Sequence, residues 1–147
     1  MQIVVVSGYF NPLHSGHLDL LEGAALLGDH LVAIVNNDFQ VGLKGSQPFM
    51  RIEERLRIVR AIGCVDRAVK SVDLDGSVVL TLETLLLAYS SDYEFSGMTF
   101  ANGGDRHPNE TPEEVFCAEN GIGTEFSVGG GKTQSSSSLL KGYDGLD

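Results

Sequence analysis

The sequence predicts an α/β domain built on a doubly wound parallel sheet, and three observations carry that prediction. Short β-branched runs recur between stretches of helical periodicity, and strand and helix signals alternate along the chain. At 147 residues the chain fits one core that needs neither disulfides nor structural metal, so residues 1–147 read as a single domain.

Ile3 to Val6 is an uninterrupted apolar run ending at Ser7-Gly8, the pattern of a strand covered on both faces. A loop leads to a helix that Ser15 can cap, with Leu18, Leu21 and Ala25 on one face and Gly28 as a left-handed stop. Leu31 to Val35 is the second strand. After a loop punctuated by Gly and Pro, Ile52, Leu56 and Val59 recur at helical spacing up to Gly63, and Glu53 and Arg57 form an i,i+4 pair on the outer side. A third strand spans Ala68 to Val72, and the helix after it presents Val78, Leu82, Leu85 and Leu86 on one face. Residues 90–97 read as a loop and Met98 to Ala101 as the next strand. Thr111-Pro112-Glu113-Glu114 combines an N-cap, a proline at the first helical position and a capping-box glutamate, and Gly121 ends that helix. Glu125 to Val128 makes a last strand, and Gly129-Gly130-Gly131 leads to a terminal helix starting in the serine run.

The formal charge of −10 argues against a broad grip on nucleic acid, which needs clustered Lys and Arg. A small anion remains within reach if a few local donors hold it. No apolar run approaches the ~18 residues of a membrane-spanning helix. Cys64 and Cys117 belong to no metal-binding or disulfide pattern and are expected to be buried thiols. The start, Met1 to Val6, has no basic segment or small-residue cleavage site and enters directly into a strand, so a reducing cytoplasm is the simplest location.

In a doubly wound sheet the loops after the strands converge on one edge. Four are unusual: Gly8 to His17, Asn36 to Lys44, Asn102 to Arg106 and Gly129 to Ser138. The first is the sharpest. His14 and His17 lie three apart at a helix N-terminus, which puts both imidazoles on one face and adds donors to the free backbone N–H groups of the first turn. Such a corner suits phosphate. Gly131-Lys132-Thr133 is not a P-loop, because Phe126 stands where that motif needs glycine.

Gly8-x-Phe10-x-Pro12-x-His14-x-Gly16-His17 resembles the H-x-G-H signature of the cytidylyltransferase-like nucleotidyltransferases, which include glycerol-3-phosphate cytidylyltransferase and heptose-1-phosphate adenylyltransferase. Ser135-Ser136-Ser137 stands where that family has a Ser/Thr run opening its last helix, so the resemblance spans nearly the whole chain. It implies a Rossmann-like domain that is an enzyme, with a homodimer as the family's assembly. Asn102-Gly103-Gly104-Asp105-Arg106 is similar to the Gly-Gly-Asp-Tyr segment of the heptose-phosphate adenylyltransferases, with Arg106 replacing the aromatic residue. Lys132 stands where many relatives have arginine, which keeps the charge and loses the bidentate fork.

The resemblance implies in-line attack by a substrate phosphate on the α-phosphorus of ATP or CTP, with release of pyrophosphate and with Mg2+ carried mainly by the nucleotide. It assigns His14 and His17 to the charge developing at the α-phosphate, Lys44 and Lys132 to bridging phosphates, and Ser135, Ser136 and Ser137 to the β- and γ-phosphates. Gly104, Asp105 and Arg106 would touch the acceptor or form only a turn, and Asp38 joins the acceptor side. Arg51 and Arg55 line that pocket or decorate a surface helix. Tyr9 and Phe10 flank the base or belong to the core. The acceptor expected is a sugar or polyol phosphate, with the heptose type favoured. A cofactor precursor (FMN, nicotinamide mononucleotide or phosphopantetheine) and a silent nucleotide-binding module are the alternatives.

Overall fold

The computed structural model describes residues 1–103 and 111–130. Five strands, β1 (Gln2–Gly8), β2 (His30–Val35), β3 (Arg67–Lys70), β4 (Gly97–Gly103) and β5 (Gly123–Val128), form one sheet in the order β3-β2-β1-β4-β5. Every neighbouring pair is parallel. Val5 of β1 sits between Val32 of β2 and Phe100 of β4, so the apolar runs read from the sequence form the middle of the sheet.

Strand alternation sorts the core into two layers. Val4, Val6, Leu31, Ala33 and Val35 pack with Leu21 and Ala24 of α1 (Ser15–Ala25) and with Ile52, Leu56 and Val59 of α3 (Ile52–Arg60). Ile3, Val5, Val32, Ile34, Met98 and Phe100 pack on the other face with Leu82 and Leu85 of α4 (Val79–Ser90) and Cys117 of α5 (Pro112–Glu119). This is the expected single α/β domain, Rossmann-like and doubly wound. The strand order reverses at β1, which places the crevice outside the carboxyl ends of β1 and β4.

Several local expectations change. The cap of α1 is His14, and Ser15 is the first helical residue. Gly28 does not take a left-handed conformation; it is small because a Cβ there would meet Val4 Cγ2 at 2.7 Å and the Gln2 carbonyl at 2.8 Å. The segment after β2 contains a six-residue helix, α2 (Asp38–Leu43), capped by Asn37, so Lys44 ends a helix rather than sitting in an open loop. Arg55 pairs with Asp38, His30 Nδ1 lies 3.9 Å from Asp66 Oδ2, and the expected Glu53–Arg57 ion pair does not form. Cys117 is buried, and its thiol is pushed up to about 11 by burial first and by Glu113 and Glu114 second. Cys64 is only partly buried. Both cysteines are free. Thr111 and Glu114 form the expected capping box, and Gly121 takes φ +70 after α5. No helix among the described residues is long and apolar enough to cross a membrane.

The helix α4 lacks a capping side chain at Val78. Asp73 supplies one from five residues upstream: Oδ2 accepts from Leu80 N at 2.8 Å, and Oδ1 accepts from Thr81 N at 3.0 Å and from the Thr81 hydroxyl at 2.5 Å. A carboxylate placed there satisfies two orphan N–H groups and faces the positive end of the helix. We expect Asp73→Ala to lower stability by about 2 kcal/mol. A shift of the urea midpoint at unchanged slope checks this, and a loss under about 0.5 kcal/mol would show that the remote cap does not matter.

Candidate active site

The candidate site begins where β1 ends. A Cβ on Gly8 would meet the Phe10 ring at 3.1 Å, so glycine lets that ring fold beneath the strand end. Phe10 takes φ 48, an uncommon conformation for a residue with a side chain, and is 1% exposed. Its ring lies 4.8 Å from that of His17. Phe10 is therefore a core residue beneath the histidines, and the expectation that its side chain flanks a base is corrected.

The Asn11–Pro12 bond is cis, and the chain then reaches His14. Two histidines form the capping box of α1: His14 Nδ1 accepts from Gly16 N at 3.1 Å, and His17 Nδ1 accepts from His14 N at 3.1 Å. The rings stack with centroids 3.9 Å apart and planes 28° apart. Because each Nδ1 is an acceptor, this bonding assigns the proton of each neutral ring to Nε2. The site thus holds two imidazole N–H donors of fixed tautomer at a helix N-terminus, where the helix dipole also favours an anion.

The Lys44 ammonium lies 4.3 Å from the centroid of the ring of Tyr9, the residue that follows β1. The Tyr9 hydroxyl is pushed above its ordinary range, by burial first and by Glu113 second. It stays a neutral phenol, and the ring offers Lys44 a π face.

Arg55 lies in the core stripe of α3 and is 1% exposed, so the surface-helix reading is corrected. Its guanidinium donates to the carbonyls of Met50 (2.9 Å), Tyr9 (2.8 Å) and Asn36 (2.7 Å) and to Asp38 Oδ1 (2.5 Å). Asp38 Oδ2 also accepts from Ile52 N at 3.2 Å. Arg55 and Asp38 are thereby bonded to each other and to the loop backbones, with Arg55 fully buried and Asp38 partly exposed. Arg51 is exposed at the start of α3, and its side chain makes no cap bond.

Sequence reasoning passed over three buried amides. Asn11 bonds to the loop before α3. Asn36 donates to Gln40 Oε1 at 3.0 Å, and Gln40 Nε2 donates to the carbonyls of Asp75 and Ser77, each at 2.8 Å. Their signal was a cluster of polar residues directly after a buried strand, where unsatisfied amides would be costly. At the β4 end, Asn102 is buried and donates to Glu125 O at 3.4 Å. Gly104, Asp105, Arg106, Lys132, Ser135, Ser136 and Ser137 lie outside the described residues. Gly129 is described: at φ +81 it crosses α1 so closely that a Cβ would meet Asp19 O at 2.5 Å.

Known proteins resemble this chain in sequence and in fold. The family model for cytidylyltransferase-like proteins matches residues 5–105. The bifunctional protein HldE of Streptomyces coelicolor is 37% identical over 119 residues, 80% of this chain and 23% of that protein. The bifunctional protein HldE of Haemophilus influenzae is 35% identical over 131 residues, 84% of this chain and 26% of that protein. The chain therefore spans about a quarter of the length of these curated relatives. A lipopolysaccharide core biosynthesis protein from Thermoplasma volcanium superposes with a TM-score of 0.63 at 25% identity, covering 86% of this chain and 93% of that one. A candidate nicotinate-nucleotide adenylyltransferase from Vibrio parahaemolyticus shares the fold, with a TM-score of 0.58 at 17% identity over 99% of this chain and 89% of that one. With the histidine corner at the switch point of the sheet and a family match across residues 5–105, this chain belongs to the cytidylyltransferase-like nucleotidyltransferases.

Proposed function

We propose that the protein transfers AMP or CMP from ATP or CTP to a small phosphomonoester and releases pyrophosphate, with a heptose-type sugar phosphate and ATP as the favoured pair. The observation that carries this reading is the histidine pair, whose Nδ1 atoms are bound to the backbone so that both Nε2–H groups serve as donors beside a helix N-terminus. The sugar-phosphate preference is supported by the Gly103-Gly104-Asp105 segment and by the likeness to a lipopolysaccharide core biosynthesis protein.

In this reaction an oxygen of the acceptor phosphate attacks the α-phosphorus, one P–O bond forms, and the bond from the α-phosphorus to the bridging oxygen of pyrophosphate breaks. No covalent enzyme intermediate is needed, so catalysis rests on alignment and charge stabilisation. His14 and His17 donate to oxygens around the α-phosphorus, Lys44 and Lys132 neutralise the triphosphate, and the Ser135 to Ser137 hydroxyls and N–H groups hold its far end. Tyr9 supports Lys44. Arg51 faces the acceptor phosphate, with Gly104, Asp105 and Arg106 on the acceptor side. Magnesium arrives with the nucleotide and offsets its charge.

We expect pyrophosphate release with magnesium to require one nucleotide and one acceptor from a panel of sugar phosphates, polyol phosphates and cofactor precursors. His17→Ala lowers turnover by about 10²–10³, the usual effect of losing one well-placed donor. Retention of more than about a tenth of the wild-type rate would remove His17 from the mechanism, and nucleotide binding without release across the panel would favour a silent module. Lys44→Met lowers kcat/KM for the nucleotide by about 10- to 100-fold, the effect of losing a charged contact to phosphate. Its melting temperature stays within a few degrees of wild type, because the contact with Tyr9 contributes only about 1 kcal/mol. An unchanged kcat/KM would show that Lys44 does not reach the phosphates.

A further inference from the structure

Residues 42–49, which lead from α2 toward α3, are all exposed, and Phe49 itself is 62% exposed. Side-chain burial therefore does not hold this loop in place. Backbone bonds from two buried side chains do. Asn11, 6% exposed and three residues before His14, donates from Nδ2 to Gln47 O at 3.1 Å and accepts at Oδ1 from Phe49 N at 2.6 Å and Met50 N at 3.3 Å. Arg55 adds one bond, from Nε to Met50 O.

The chemistry of Asn11 is matched to this loop atom by atom. One end of the side chain must donate and the other must accept twice, and an amide does both. A carboxylate would face the Gln47 carbonyl with no proton to offer. The loop so held carries exposed Arg51 immediately before α3. Arg51 is thus referenced, through Asn11, to the segment that bears His14 and His17.

We propose that Asn11 is a positioning residue for the second substrate: it locks residues 47–50 to the histidine segment and thereby holds Arg51 ready to bind the acceptor phosphate. The inference rests on the nucleotidyltransferase reading. Its physical basis is that a charged group on a loop without packing binds its partner weakly unless a rigid tether holds it in place beforehand. Asn11 touches no substrate in this scheme. Its effect passes through Arg51 and falls on the acceptor, not on the nucleotide.

Steady-state pyrophosphate release by wild type, Asn11→Asp and Asn11→Ala tests this, with the nucleotide and the acceptor varied separately and with amide hydrogen exchange followed at Phe49 and Met50. Both variants are expected to raise KM for the acceptor roughly tenfold, the effect of one or two lost buried hydrogen bonds, with kcat and the nucleotide KM within about threefold of wild type. Asn11→Ala speeds exchange at both amides. In Asn11→Asp the acceptor KM, taken relative to wild type, falls as pH is lowered, because a protonated carboxyl can again donate to Gln47 O while its other oxygen accepts. The same ratio for Asn11→Ala stays flat with pH. An unchanged acceptor KM in an active Asn11→Asp protein overturns the role of Asn11 alone, as does a uniform loss of kcat that follows a lowered melting temperature. Wild-type protein that turns over no acceptor overturns the functional reading and the role of Asn11 with it.

Discussion

The site depends on one buried guanidinium. Arg55 donates to carbonyls of Tyr9, Asn36 and Met50, which belong to three separate connections, and pairs with Asp38 on a fourth segment. Desolvating a charge this fully is expensive, and the energy is recovered only when nearly every N–H finds a partner. Arginine suits the position because its planar fork can address several carbonyls in fixed directions, whereas an ammonium on a flexible stem cannot. The result is that the exits of β1 and β2 and the start of α3 are fixed relative to one another before any ligand arrives. Preorganisation of this kind is what a reaction without covalent catalysis needs.

A second layer of order lies beside it. Asn36, Asn37 and Gln40 bond the end of β2 to the carbonyls of Ser71, Asp73, Asp75 and Ser77, and Asp73 in turn holds the first turn of α4. Polar residues at the carboxyl end of the sheet therefore have two employments. His14 caps α1 and Lys44 lies over Tyr9, while the amides complete the backbone bonding that a buried loop requires.

The fold was legible because its signals are local and repeated. Apolar β-branched runs gave the strands, and Thr111-Pro112-Glu113-Glu114 with Gly121 gave α5 almost to the residue. The histidine corner was also legible, since H-x-G-H sits at a strand-to-helix junction. What escaped were contacts made between distant segments. Ser15 has the better intrinsic preference for capping, yet the side chain that reaches the helix N–H groups is the imidazole of His14. Arg55 could have been found, because it falls in the same stripe as Ile52, Leu56 and Val59, but a charge on a core face reads as an error until its partners are known. The cap by Asp73 and the tether by Asn11 leave no local pattern at all.

The paired histidines of α1 have two duties, and the duties share atoms. Each ring uses Nδ1 to hold the helix start. A second proton on either ring would occupy that lone pair, so acid would unlatch the first turn of α1 at the moment it charged the imidazole. The effect of acid at this corner would then be partly mechanical: Nε2–H still donates from the charged ring, but the lone pair that aims it is gone, and a change of charge comes with a change of shape.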